Sequence, residues 1–435
     1  MFIKRTLECM SYKFYPHYTL CPLLYCTTRD FVRLSVQQLM EDEAVANLRE
    51  YIRIPSVHPN VDYTECVTFI KRLAKNYGLP CNVFGKADKP VVILTWRGTD
   101  KHAGSILLNS HMDVVPVYKE KWSYDPFAAV KDDQGYIYGR GTQDTKSTGI
   151  QQISAVGRLK EKGISLKRTV HVSFVPDEEI GGVAGMGTFV KTEDFKKLNI
   201  AFAIDEGSPT EEDEMAIFNE ERSAMKVRIH CCGPTGHGSL LLENTAGEKM
   251  RTVLNAFLDY RESQVLKMKN SKSVELAKIA EVTSINLTEL KGGVQNNVVP
   301  PEIVLGFDVR LSVHEDHEQF FNWVETVCKS AGNDVRVEYS QKEPKTPKTA
   351  ADSTNPFWTA CMRVFDKMNI PVHVIPFYGC TDARYLRRIG VPSFGLTPMR
   401  NTPNLLHNHN EKVHESIFLE GLNVYANLIE ALANV

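Results

Sequence analysis

No run of about eighteen apolar residues occurs in the chain, so no segment reads as a membrane-spanning helix. An excess of one charge is missing too. Fifty-one Lys and Arg face fifty-three Asp and Glu, a net charge of −2. That balance argues against a surface built for nucleic acid or an anionic membrane. The ten cysteines include no Cys-x-x-Cys pair and no Cys/His spacing of a zinc finger. In a chain of 435 residues this favours reduced thiols in a cytoplasmic setting. The phosphate loop GxxxxGK(S/T), the nucleophile elbow GxSxG, the zinc helix HExxH and the dinucleotide fingerprint GxGxxG are all absent, so each of those chemistries loses its local signal. Gly181–Gly187 is glycine-rich, but its spacing misses the dinucleotide pattern.

What is present is ordinary globular usage, with 43% apolar and 24% charged residues, in a length that suits two or three domains. Residues 1–40 differ from the rest. They are rich in Cys and Tyr without a steady period, and the apolar stretch after Lys4 and Arg5 is broken by Lys13, Pro16, His17 and Pro22. The segment weakly resembles a targeting sequence, and a poorly ordered extension is expected.

From residue 41 the pattern tightens. A helix is expected over 41–54, short buried strands over 91–96 and 105–109, and a helix over 146–162. Two more buried strands are expected over 169–175 and 201–204. Strands alternating with helices predict an α/β fold, with a mixed, mostly parallel sheet flanked by helices. The acidic run Glu211–Glu214 reads as a solvated connector. Beyond it the order is strand (225–231), helix (245–262), strand (282–290), strand (303–311), helix (315–329) and strand (335–339). This β-α-β-β-α-β order is ferredoxin-like and predicts an inserted α+β domain over 218–343. The flanking segments 41–217 and 344–435 then form one catalytic domain. Helices over 356–367 and 415–432 and strands over 373–375 and 393–396 complete the second segment.

Chemistry-bearing residues gather at strand ends. Leu107–Asn109 runs into His111-Met112-Asp113. Residues i and i+2 share a face of a strand, so the Asp113 carboxylate can accept the ring N–H of His111 and fix which nitrogen faces a metal. A packing histidine and a turn-capping aspartate are the plainer alternative. Asp144 stands directly before a helix and could simply cap it. Asp177, Glu178 and Glu179 follow a buried strand with no cation beside them, and like charges so close raise one another's pKa unless a cation is present. Asp205 and Glu206 end another buried strand, and His407 and His409 precede the last helix. Carboxylates with imidazole and no thiolate suit zinc, cobalt or manganese.

Together the motifs HMDVVP (111–116), YGRGTQDTK (138–146), FVPDEEIGG (174–182), AIDEG (203–207), TGHGS (235–239), GGVQNNVVP (292–300) and LLHNHNE (405–411) resemble those of the zinc-dependent amidohydrolases and exopeptidases. That family includes glutamate carboxypeptidases, carnosinase and succinyl-diaminopimelate desuccinylase. The segments 106–117, 121–129 and 405–411 look closest to its aminoacylase branch. The resemblance covers about 41–435. It implies two zinc ions per chain, one held by His111, Asp144 and Glu206 and the other by Asp144, Glu179 and His407, with Asp144 bridging. His407 is preferred to His409 because the family places a Glu, here Glu411, four residues after the ligand. Asp113 would orient His111, and Glu178 would be the general base. The inserted domain would act as a lid and dimerise, sending His237 to the partner's active site. Asn297, Arg310 and, less directly, Arg384 would bind the substrate's carboxylate, although an ordinary ion pair also explains either arginine.

The implied activity is hydrolysis of an N-acyl-L-amino acid to a carboxylate and a free L-amino acid. A dipeptidase or carboxypeptidase of the same family is one alternative, and a non-catalytic dimeric scaffold is another. No nucleic acid or membrane partner is expected. One stretch departs from the family: Thr145-Lys146-Ser147-Thr148 follows Asp144 where Met-Lys-Gly-Gly is common. The change touches helix packing rather than ligands.

Overall fold

The computed structural model describes residues 41–435; the expected extension over 1–40 lies outside them. The chain divides into two units, Met1–Ala46 and Asn47–Val435. The described part of the first carries the start of helix α1 (Glu43–Ile52).

In the second unit, α2 (Thr64–Asn76) precedes β1 (Cys81–Lys86), β2 (Lys89–Trp96) and β3 (Ser105–His111). Short strands β4 (Val130–Lys131) and β5 (Tyr136–Tyr138) lead to α3 (Lys146–Glu161) and β6 (Val170–Val175). Then come α4 (Met186–Phe189), α5 (Glu193–Leu198), β7 (Ile200–Asp205) and β8 (Met215–Glu221). The next segment holds β9 (Ser223–Cys232), β10 (Gly236–His237), α6 (Ala246–Asn270), α7 (Glu275–Ala280), β11 (Ser284–Gly292), β12 (Val298–Val299), β13 (Glu302–Leu311), α8 (His317–Ala331) and β14 (Val335–Lys342). Helix α9 (Pro356–Met368), β15 (Val372–Phe377), α10 (Ala383–Arg388), β16 (Ser393–Gly395), β17 (Lys412–His414) and α11 (Glu415–Ala433) close the chain.

The central sheet has the order β1-β2-β6-β3-β7-β16-β8-β15. The pairs β6–β3, β3–β7, β7–β16 and β8–β15 are parallel and the others antiparallel. The sheet is therefore mixed and mostly parallel, as expected. Every residue of β3 and β6 is buried, as strands covered on both faces must be. On one face α3 lies close because Gly149 has no side chain: a Cβ there would stand 2.6 Å from the Phe174 ring and 2.7 Å from Ser110 Oγ. On the other, Val91, Leu107, Val175 and Ala203 pack against Met186, Phe189, Phe195 and Leu386 of α4, α5 and α10.

A second sheet has the order β11-β13-β9-β14 and is antiparallel throughout. With α6 and α8 it makes the expected ferredoxin-like unit. Val227, Ile229, Phe257, Phe307, Phe320 and Val324 form the core under its helices, while Lys226 and Arg228 alternate to the open face. The expected division at 217 falls inside β8, which stays hydrogen-bonded in the central sheet as far as Glu221. Helix α6 also runs past the expected 262 to Asn270, from a capping box made by Thr245 and Glu248.

Candidate active site

The C-terminal ends of β3, β6 and β7 deliver four of the acidic and imidazole groups, His111, Glu178, Glu179 and Glu206, to one place, where ligands gather in open α/β sheets. His111 ends β3 and is buried. Its Nε2 lies 3.0 Å from Asp144 Oδ1 and 3.4 Å from Glu206 Oε2. The other oxygen of Asp144 lies 3.1 Å from His407 Nε2, which is also 3.0 Å from Glu179 Oε2. Asp144 thus gives one oxygen to each histidine. One atom each of His111, Glu178 and Glu206 comes within 4.8 Å of the others, and the same holds for His111, Asp144 and Glu179. Of the two late histidines, His407 reaches this cluster, whereas His409 packs edge-on against Tyr118.

Asp113 acts differently from expectation. His111 Nδ1 meets the Asp113 main-chain oxygen at 2.8 Å, while the nearest carboxylate oxygen is 3.8 Å away. The strand end curls so that the carbonyl, not the carboxylate, sets the ring. The carboxylate instead accepts the main-chain N–H groups of Glu178 at 3.2 Å and Glu179 at 3.0 Å, and meets His58 Nε2 at 2.9 Å. Next to it Asp177 is in the left-handed region at φ 64 and accepts from Tyr63 Oη and Lys89 Nζ, both at 2.8 Å. His58, Tyr63, Lys89 and Asp177 hold the turn that carries the two glutamates. Asp177 apart, these supports went unread in the sequence, where no spacing links them to that turn.

Glu411 is a second hidden support. Fully buried, it accepts from Arg140 Nη1 at 2.6 Å and from the main-chain N–H of Gly141, Gln143 and Asp144. It holds the loop that presents Asp144. The Asp144–Thr145 peptide is cis.

The electrostatics follow from burial and crowding. Burial, and then the charge of Glu206, hold Glu178 well above the usual carboxylate range. Burial and Asp144 push Glu179 up to about 7. Burial works against the charge on Asp144, but hydrogen bonds from His111 and His407 outweigh it and hold that carboxyl far below the usual range. Hydrogen bonds to Asp144 and Glu179 push His407 up to about 10. Burial would lower His111, yet Glu206 and Asp144 hold it well above its ordinary value. Glu179 Oε1 is buried with no hydrogen-bond partner. That orphaned oxygen, amid carboxylates and imidazoles without a thiolate, fits divalent metal ions such as zinc.

A cavity of about 340 Å³ opens over the cluster, lined on the far side by Ala224, Lys226, Arg310 and Gln341 of the second sheet. Arg310 lines it, with Nε and Nη2 on the Asp308 carboxylate at 2.8 and 3.3 Å. Arg384 lines it too, buried, donating to the carbonyls of Thr381 and Gly181 and standing 3.9 Å from Glu178 Oε1. His237 and Asn297 are not brought in. Both are exposed, His237 on β10 and Asn297 directly before its partner strand β12, where Gly238 N–H donates to the Asn297 carbonyl and His237 Nδ1 meets Ser239 Oγ at 2.7 Å. Neither lines the cavity of its own chain.

Comparison with known proteins agrees with this architecture. The family model described as peptidase family M20/M25/M40 matches residues 107–431. Aminoacylase-1A of Rattus norvegicus is 43% identical over 396 residues, which cover 91% of this chain and 96% of that protein. Aminoacylase-1 of Dictyostelium discoideum is 36% identical over 409 residues, 92% of this chain and 100% of that one. Among solved structures, an M20 family metallo-carboxypeptidase from Sulfolobus solfataricus superposes with a TM-score of 0.73 at 19% identity, covering 90% of this chain and 100% of that chain. At that identity the likeness speaks for the fold.

Proposed function

The chain belongs to peptidase family M20/M25/M40, and from that premise we propose that it hydrolyses N-acyl-L-amino acids to a carboxylate and a free L-amino acid. The aminoacylase-1 relatives, matched over almost their whole length, carry this reading. The cluster of Asp144, Glu178, Glu179 and Glu206 with two histidines supplies its chemistry.

His111, Asp144 and Glu206 would hold one zinc ion, and Asp144, Glu179 and His407 the second. A metal held there would supply a water molecule with its pKa lowered from about 15.7 toward about 7 and would polarise the acyl carbonyl. Glu178 takes the water's proton and returns it to the leaving amine nitrogen. The Asp113 carboxylate fixes the main chain of Glu178. Arg310 turns its remaining Nη1, which faces Cys380 Sγ at 3.8 Å, to the substrate's α-carboxylate. Arg384 steadies Glu178 from the side. His237 serves the site of a second copy of the chain, paired through the second sheet's domain, with Asn297 beside it; its exposure and its place away from its own cavity support action across a dimer. No helix among the described residues is long and apolar enough to cross a membrane. The seven described cysteines are all free thiols, which supports a reducing, cytoplasmic setting.

Amine release from N-acetyl-L-methionine by the purified, zinc-loaded protein tests the proposal, with a dipeptide of the same C-terminal residue alongside. Faster release from the acetyl compound supports it. Turnover of the dipeptide alone makes the chain a dipeptidase.

A further inference from the structure

We propose that Lys226 is a specificity-determining residue that binds a second carboxylate on the substrate, so that the enzyme favours dicarboxylic N-acyl-L-amino acids. The inference rests on the amidohydrolase reading above and narrows its substrate class.

The cavity has two unlike sides. One is the acidic cluster with its histidines. The other is the open face of the second sheet. There, Ala224 and Lys226 are two apart on β9 and share a face. The register sets Arg310 of β13 opposite Ala224, and sets Asp308 of β13 and Gln341 of β14 on either side of Lys226. Three Lys or Arg side chains line the cavity: Lys226, Arg310 and Arg384. Two are engaged. Arg384 is buried and donates to two main-chain carbonyls. Arg310 holds Asp308 through two nitrogens, which uses both oxygens of that carboxylate.

Asp308 is therefore directly across from Lys226 and already neutralised by Arg310. Lys226 is exposed, and no ion pair joins it to any carboxylate among the described residues. With Asp308 held by Arg310, Lys226 is the cation of this wall without a carboxylate partner among the described residues, and a substrate held by its α-carboxylate at Arg310 leaves the Lys226 Nζ unpaired. An additional carboxylate pairs with it, and the lysine's flexible stem lets Nζ follow the anion within the cavity. Two sources share this chemistry: an acidic amino-acid side chain, and a dicarboxylic acyl group.

Steady-state kinetics with matched acid and amide substrates decide between them. N-acetyl-L-glutamate is compared with N-acetyl-L-glutamine, and N-succinyl-L-methionine with N-succinamoyl-L-methionine, in wild type, Lys226→Met and Lys226→Glu. In at least one pair the acid is expected to have the lower KM in wild type. Lys226→Met is expected to raise the KM of that acid about tenfold, the scale of one charge-assisted hydrogen bond, while its amide partner moves by less than about twofold. Lys226→Glu should invert the preference. The pair that responds identifies the source of the carboxylate. Equal changes for acid and amide in both pairs, with N-acetyl-L-methionine still hydrolysed, would overturn the role of Lys226. Failure to hydrolyse N-acetyl-L-methionine or any of the four would instead overturn the activity on which it rests.

Discussion

His111 and Asp113 meet through a main-chain oxygen: the ring Nδ1 lies 2.8 Å from the Asp113 carbonyl. This leaves the carboxylate free to hold the two N–H groups of Glu178 and Glu179. Asp113→Asn should accordingly keep the orientation of His111. An amide nitrogen cannot accept, so one buried N–H of the glutamate turn loses its partner at a cost of about 1–3 kcal/mol. The expected result is a lower kcat and a lower urea midpoint with near-normal zinc content. Metal analysis beside kinetics checks it, and loss of zinc with an unchanged kcat would contradict it.

Glu178→Gln should abolish turnover, by at least about a hundredfold, if Glu178 shuttles the proton. The same substitution should stabilise the metal-free protein at neutral pH. Burial and Glu206 raise the Glu178 pKa in the folded state, so a charged Glu178 opposes folding once pH exceeds its unfolded value. Scanning calorimetry of metal-free wild type and variant reads the difference in Tm. A lower Tm for the variant would refute this account.

The cluster makes metal binding a proton exchange. His407 is pushed from 6.5 to about 10 by its carboxylate partners. Its contribution to the stability of the metal-free protein is complete below about 6.5 and fades as pH rises toward about 10. Zinc must displace that proton, and apparent zinc affinity should climb across the same window. Titration calorimetry in buffers of different ionisation enthalpy counts the released protons; no buffer dependence would be inconsistent with the prediction.

Glu411 is buried against Arg140 and three main-chain N–H groups. Removing one partner of a buried pair costs about 3–5 kcal/mol. Glu411→Gln should therefore unfold at much lower urea and bind zinc weakly through a slack Asp144 loop. Arg140→Met paired with Glu411→Gln should cost less than the two single losses added, because no buried charge is left alone.

Should His237 work across a dimer, His237→Ala and Glu178→Gln chains are each inactive alone. Mixed dimers then recover part of the activity, since one of their two sites holds both intact groups. Absence of recovery in dimers shown to be mixed would exclude the crossing.

What could be read from the sequence had local signals. Strands β3, β6 and β7 are apolar runs ending in His or acid, and the second unit could be read from its β-α-β-β-α-β order of elements. Strand β8 was not legible, because Met215–Glu221 follows an acidic run and acquires its place only by pairing with β15 and β16, both more than 150 residues later. Strand β1 is an edge strand of half-exposed residues with no buried period to betray it. Of the candidate site, Glu178, Glu179 and Glu206 were legible as acids placed where a core strand ends, while the assignment of ligands, Asp144 and His407 included, came from the resemblance. The supports of these residues were not legible: His58 meets Asp113 across 55 residues, and Arg140 meets Glu411 across 271. Such contacts exist only after the fold has formed. Asp113 shows the limit from the other side, since the spacing is right and the atom is wrong.

The bond between the Asp144 loop and Glu411 also sets an order of events during synthesis. Domains ordinarily begin to fold as the ribosome extends the chain from its N-terminus. Here β3, β6 and β7 all precede Glu411 in the chain, whereas the loop of 139–144 waits for that carboxylate and strand β5 waits for β17. A ribosome-bound chain stopped before residue 411 has the sheet without the clasp. Presentation of Asp144 thus depends on a contact that spans 267 residues of chain, and it is completed only once Glu411 has been added.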